Sequence, residues 1–332
     1  MQDELEIISK TIIGQSAKGQ AWETSIVFDN GITWYFSKEH IIIQNAPFKE
    51  SFAVDSKKFK GVIKSLSDMN GDLTLGVTDG AVEGTGQVVF TKGQATFTLP
   101  TIDMRRFPPI PSNCLPFINV DESLAQSMRT VLPFADIKSK HINSYCITIG
   151  STIAAAHGVL NCGLGVRHEM WPDGVPALQV RAVGLKNVLT AAKRRKAELM
   201  QIGGNAEMIA LYFNGMSAIL QIQATMPATK PDITNEHIPI DDSFKQAVAA
   251  LKPLANSMVV DVSLNEYKAT ELTYKAPAGS QFQGMSAPAN ALVKCLPYMV
   301  NGEYDPFKQT FTFDDGNNII GQVMCYDDDI PF

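Results

Sequence analysis

Leu99-Pro100-Thr101, then five residues, then Phe107-Pro108, is the stretch on which the reading of the fold turns. Pro100, Pro108, Pro109 and Pro111 have no backbone N–H to give to a ladder, so a strand that ends near Leu99 must leave its sheet here. Working upstream, Ala95 to Leu99, Gln87 to Phe90 and Asp72 to Val77 alternate as strands. Before them, Ser56 to Leu66 places Phe59, Val62, Ile63 and Leu66 on one helical face. Lys57, Lys60 and Lys64 fall together on the opposite face, with Lys58 nearby. The order is helix, strand, strand, strand and a proline-marked exit.

The same plan recurs along the chain. Five more short amphipathic helices are expected, around Leu5-Ile8-Ile12, Leu124-Met128-Val131-Leu132, Leu185-Val188-Leu189-Ala192, Phe244-Ala247-Val248-Leu251 and Ala289-Leu292-Val293-Leu296. Ser56, Asp121-Glu122-Ser123 and Asp241-Asp242-Ser243 supply caps or acidic first turns. Between the helices the period drops to two, as in Thr24-Ile26-Phe28 and Ile32-Trp34-Phe36 around the turn signal Asp29-Asn30-Gly31. Met208 to Phe213 and Ala218 to Gln223 flank Asn214-Gly215, and Thr310 to Phe313 and Ile319 to Met324 flank Asp314-Asp315-Gly316. A helix followed by antiparallel hairpins, six times at about 55 residues each, is an internal repeat of α+β class. Prolines mark the joints: Phe107 to Pro111, and then Pro227, Pro231-Asp232 and Ile238-Pro239. These stretches suit extended linkers, giving domains over 1–111, 112–238 and 239–326 and a tail over 327–332.

The 332 residues exceed one comfortable core, and 45% hydrophobic with 19% charged residues describes a soluble multidomain protein. No apolar run approaches the ~20 residues that span a bilayer, so no membrane partner is expected. Met1-Gln2-Asp3-Glu4 has neither a basic start nor an apolar signal core, which predicts a cytoplasmic protein. Cys114, Cys146, Cys162, Cys295 and Cys325 are scattered, without a C-x-x-C pair, and read as ordinary buried thiols. The five histidines lack metal spacing, and no G-x-x-x-x-G-K loop is present. Gly163-Leu164-Gly165 begins like a dinucleotide fingerprint, but His168 stands where the third glycine belongs. No enzyme, metal or cofactor is expected.

The unit that ends in Leu99-Pro100-Thr101 and Phe107-Pro108 resembles the first domain of bacterial DNA polymerase sliding clamps. Pro231-Asp232 and Ile238-Pro239 are similar to that family's second joint, with one extra residue. The resemblance implies the DNA clamp fold: three similar domains, each of two helix-plus-antiparallel-strand units, forming a ring with helices toward the hole. Twelve units close the circle in that family, so six per chain imply a head-to-tail homodimer. It further implies a processivity factor that encircles duplex DNA, tethers a replicative polymerase and is loaded by a partner ATPase.

Net charge is −6, so DNA binding requires positive charge gathered in one place. The helices hold much of it: Lys57, Lys58, Lys60 and Lys64; the run Lys193-Arg194-Arg195-Lys196; Lys138 and Lys140; and Lys10, Arg129 and Lys245 singly. Lysines commonly just solvate exposed faces. In a ring of the kind the resemblance implies, the same cations reach phosphates without reading bases, and the protein slides.

Clamps of that family recruit partners through a hydrophobic pocket. The resemblance carries over Gly158 and Leu160 from the hairpin Ala156-His157-Gly158-Val159-Leu160, together with Pro231, Val323 and Met324; interdomain core is the other reading of the same residues. The chain then ends Asp327-Asp328-Asp329-Ile330-Pro331-Phe332, similar to the acidic tip of bacterial single-stranded DNA-binding proteins. Three carboxylates before an apolar trio suit a basic-rimmed apolar socket on proteins that bind such tips. A phage origin fits a borrowed docking signal. The tail also supports an alternative, a single-stranded DNA-binding or replication scaffold protein, though no disordered linker precedes it.

Overall fold

The computed structural model describes residues 1–16, 18–79, 86–111, 115–168, 171–172, 175–226, 237–251, 259–263, 266–269, 272–275 and 281–326. The chain forms two compact units, each from two separated segments. Unit one is Met1–Ala125 with Val183–Ile222, and unit two is Gln126–Ala182 with Gln223–Phe332.

The helices are α1 (Gln2–Thr11), α2 (Ala21–Thr24), α3 (Ser56–Ser67), α4 (Glu122–Val131), α5 (Ile142–Tyr145), α6 (Ala182–Arg195), α7 (Asp242–Leu251) and α8 (Ala289–Cys295). All six expected amphipathic helices are present; α2 and α5 are single turns that show no apolar period. Capping explains where several begin. Asp55, rather than Ser56, caps α3 by accepting the Lys58 N–H at 2.8 Å, and Asp241 accepts the Phe244 N–H at the start of α7 at 2.7 Å. Helix α6 ends in a Schellman turn: the Ala197 N–H donates to Ala192 and the Lys196 N–H to Lys193, with Lys196 at φ 55°.

Unit one holds an antiparallel sheet in the order 115–119, 199–204, 208–213, 216–226, 40–45, 32–36, 25–29, 52–55. The first hairpin turns at Asn30-Gly31, both at positive φ, as its residue types predict. A three-stranded sheet, 73–79, 86–92 and 95–100, completes the unit. The 216–220 to 40–44 pairing joins strands more than 170 residues apart, so the first and middle stretches of the chain share one sheet.

That sheet is buried on both faces. On one, Ile26, Phe28, Tyr35 and Val54 are fully buried together with Leu5 and Ile8 of α1 and Phe59 of α3. The Phe28 and Phe59 rings lie 5.4 Å apart. On the other, Val27, Trp34, Phe36 and Ala53 are covered by Ile102, Met104, Phe107 and Ile110. The proline-rich stretch 107–111, read from the sequence as an extended linker, also helps to roof the sheet through Phe107 and Ile110.

Unit two repeats the plan, with an antiparallel sheet in the order 238–239, 301–305, 310–314, 319–324, 162–167, 152–157, 146–149, 177–181. A second sheet runs 272–275, 266–269, 259–263, 286–288. Helix α7 packs on α8, and Phe244 of α7 meets Phe282 at 5.0 Å and Phe311 at 5.8 Å. Cys146, Cys162, Cys295 and Cys325 are buried thiols, while Cys114 lies outside the described residues. Among the described residues no helix is long and apolar enough to cross a membrane.

Two features of unit one make stability testable. Lys196 occupies a left-handed position that costs an L side chain roughly 1–2 kcal/mol, so Lys196→Gly is expected to raise the unfolding temperature. Burial pushes the His40 imidazole from 6.5 down to about 4, against a smaller opposing pull from the Ile13 backbone. The unfolded chain takes up this proton first, so the contribution of neutral His40 is present above about pH 6.5 and is lost as pH falls toward 4. Denaturant titrations of the wild type and His40→Gln between these limits are expected to show the shallower pH slope in the variant.

Candidate functional site

Strand alternation divides the unit-two sheet into a core face and an outer face. Ile153, Ala155, Cys162, Leu164, Val166 and Val323 are buried. Ala154, Ala156, Gly163, Gly165, Ile320, Gln322 and Met324 alternate with them on the outer face. Ala154 stands opposite Gly165 and Ala156 opposite Gly163, which in turn face Ile320 and Gln322 on the next strand. At these four positions two neighbouring strands therefore offer only hydrogen or methyl groups beside a strand of long side chains. The result is a cleft of about 550 Å³, floored by alanine and glycine and bordered by Ile320 and Met324.

Its polar border is built around His237. Nδ1 lies 2.5 Å from Asp314 Oδ2, and Nε2 lies 3.1 Å from Thr312 Oγ1. Burial acts to raise the Asp314 carboxyl, but hydrogen bonds from Asn301, His237 and Gly316 outweigh it and hold it below the ordinary carboxylate value. A mainly apolar cleft with few fixed polar groups suits a bulky apolar side chain presented by a peptide. Gly158 and Met324, two of the expected pocket residues, line it. Val323 does not, because strand alternation turns its fully buried side chain into the core. Leu160 is half-buried outside the lining, and Pro231 and residues 327–332 lie outside the described residues.

The small-residue floor was hidden in plain view. Ala154-x-Ala156 and Gly163-x-Gly165 are two adjacent period-two patterns, and the second is the run that imitates a nucleotide loop. Its glycines are strand residues instead. His237, which precedes a two-residue strand, gave no signal at all.

The expected DNA-facing cations differ in exposure and in what they touch. Lys57, Lys58 and Lys64 are exposed on α3, as are Lys193, Arg194 and Lys196 at the end of α6, Lys10 on α1, and Lys138 and Lys140. Arg129 and Lys245 are half-buried. Lys60 departs from its neighbours: its Nζ donates to the Ile12 carbonyl at 2.6 Å, and burial, then the nearby Arg194 charge, lower its pKa. Arg194 donates to the Lys10 carbonyl at 2.5 Å. Both thus satisfy carbonyls at the negative end of α1. Arg195 is 11% exposed and is held by Glu4 at 2.5 Å and Gln44 at 3.1 Å. The densest basic run in the chain therefore contains two residues, Arg194 and Arg195, that tie α6 to α1. Arg195→Ala is expected to destabilise the protein by about 1–3 kcal/mol, because it strands polar partners. Lys193→Ala, on an exposed site, is expected to stay within roughly 0.5 kcal/mol in the same thermal melts.

No protein-family model matches the chain, and no curated protein matches it in sequence. Solved structures do. A Caulobacter crescentus beta sliding clamp superposes with a TM-score of 0.77 at 11% identity, covering 98% of each chain. A DNA polymerase sliding clamp from Pseudomonas aeruginosa, solved with a ligand, gives 0.74 at 10% identity and 98% of each chain. A Helicobacter pylori beta clamp bound to a DNA ligase peptide gives 0.71 at 12%, again over 98% of each. Identities this low speak to architecture: this chain has the fold of the bacterial DNA polymerase sliding clamps.

Proposed function

We propose that the chain is a DNA sliding clamp, a non-catalytic protein of which two copies close head to tail around duplex DNA and tether the replicative polymerase. The observation that carries this reading is the fold likeness over 98% of both chains. The three stretches 1–111, 112–238 and 239–326 are then the three domains of one half-ring.

Two features support closure and sliding. Strand 73–79 ends the three-stranded sheet of unit one and strand 272–275 ends the second sheet of unit two. Sheet edges with unused N–H and C=O groups pair readily with another chain, and joining these two edges between copies makes a heterologous contact that closes after two steps. The exposed cations of α3 and α6 supply attraction to phosphates that does not depend on sequence.

The cleft is read as the partner site, on the precedent of the Helicobacter pylori clamp with its ligase peptide. It would serve the polymerase and the loader ATPase, in the cytoplasm beside the nucleoid. Asp327 to Phe332 is proposed as a second handle, for proteins that recognise the acidic tip of single-stranded DNA-binding proteins; a phage-encoded clamp would gain host partners this way. The single-stranded-binding alternative has less behind it. Unpaired bases need several exposed stacking rings, and among the described side chains Phe307 is the one exposed Phe, Tyr or Trp ring.

Light scattering is expected to find a dimer of two 36.2 kDa chains. After loading, the protein is expected to stay on nicked circular DNA and to leave once the DNA is linearised. A monomer at micromolar concentration, or equal retention on both DNAs, sinks the reading. Replacing Lys57, Lys58 and Lys64 with Glu is expected to weaken DNA association and flatten its salt dependence, by about 0.9 log units of slope per lost phosphate contact, without lowering the melting temperature.

A further inference from the structure

We propose that Arg167 and Thr152 give the cleft of unit two a carboxylate-binding end, so that the partner segment it takes carries an aspartate or glutamate two residues from its apolar anchor. The proposal rests on the reading of the cleft as a partner site and names the chemistry of that partner.

The register of two strands places the pair. Ala156 stands opposite Gly163, Ala154 opposite Gly165, and the next pair on the same face is Thr152 with Arg167. Thr152 still lines the cleft, while Arg167 stands one step past the last glycine of the floor. The Thr152 side chain leans over that glycine: a Cβ added to Gly165 would lie 2.9 Å from Thr152 Cγ2. The floor therefore ends in a hydroxyl and a guanidinium, where its other two rungs present only hydrogen and methyl groups.

Neither polar group is satisfied. Arg167 is half-buried, its Nε–H is buried without an acceptor, and among the described residues its guanidinium forms no ion pair. Thr152 Oγ1 is likewise buried without a hydrogen bond. Other shielded charges of the chain are provided for. Arg195 has Glu4 and Gln44, and Asp314, on the same face as Arg167, has His237, Asn301 and Gly316. Glu303, whose Oε2 also lacks a partner, lies three strands from Arg167, about 14 Å at ~4.8 Å per strand, too far to act as its counterion. A partly desolvated guanidinium keeps its charge and offers a planar fork of donors, which a carboxylate matches with two parallel hydrogen bonds.

Spacing ties this end to the apolar floor. An extended peptide returns a side chain to the same face every two residues, about 6.8 Å, and the rungs of the floor repeat at the same interval. A bulky apolar side chain seated over Gly165 therefore brings the residue two positions along to Arg167. Acidic residues are attracted there, and lysine or arginine is rejected by like charge.

The test uses the full chain with isotope-labelled alanine and isoleucine methyl groups, so that Ala154, Ala156 and Ile320 report on the floor by NMR. The probe is the peptide Asp-Ser-Leu-Ser-Asp, which presents an acid in either chain direction. It is expected to shift these methyl signals saturably, with a Kd about tenfold lower than that of Asn-Ser-Leu-Ser-Asn; Lys-Ser-Leu-Ser-Lys is expected to bind more weakly than both. Arg167→Gln is expected to remove the tenfold advantage and leave the Asn peptide unchanged. Because Arg167 leaves no hydrogen-bonding partner stranded, this variant is expected to melt with the wild type. Arg167→Glu is expected to reverse the order and favour the Lys peptide. Equal affinity for the Asp and Asn peptides, or an Arg167→Gln variant that weakens both alike, overturns the proposal and leaves the cleft a partner site without a charged end. If none of the peptides moves the Ala154, Ala156 or Ile320 signals, the reading of the cleft falls, and this proposal with it.

Discussion

An antiparallel strand alternates its side chains between two faces, and each face has to be covered or left wet. Unit one answers with apolar residues on both. Helices α1 and α3 cover Phe28 and Tyr35, while Ile102, Phe107 and Ile110 cover Trp34 and Phe36. Unit two answers differently. Its core face is as apolar as the first, but its outer face is cut down to Ala154, Ala156, Gly163 and Gly165. The same architecture therefore gives a closed structural sheet in one place and a receptive cleft in another. The difference lies in side-chain volume at a few alternating positions.

The positive charge shows a similar division of labour. Lys60, Arg194 and Arg195 lie close to the end of α1, and each gives hydrogen bonds to it or to its neighbours. Tyr35 takes part from the other side, donating to the Thr11 carbonyl at 2.6 Å and accepting the Ile13 N–H at 3.0 Å. Burial raises its phenol far above the ordinary value, so it stays a neutral donor. These groups hold the helices in place, while Lys57, Lys58 and Lys64 on α3 and Lys193 on α6 stay exposed.

Local patterns were enough to find the six amphipathic helices, the hairpin at Asn30-Gly31 and the strands that precede Leu99-Pro100-Thr101, because period, capping and turn chemistry act within a few residues. Gly158 and Met324 came instead from the resemblance to sliding clamps. Sequence alone did not reveal which strands would be neighbours. The pairing of 216–220 with 40–44 and of 319–323 with 162–166 is settled by long-range burial, and only that pairing sets two runs of small residues side by side as a floor. It is also why Val323 is core while Met324 is rim, and why Arg195 is bound to Glu4 whereas Lys193 is exposed. Residue type says what a side chain is able to do; its neighbours across the sheet or between helices decide whether that capacity is used inside the fold or left for a partner.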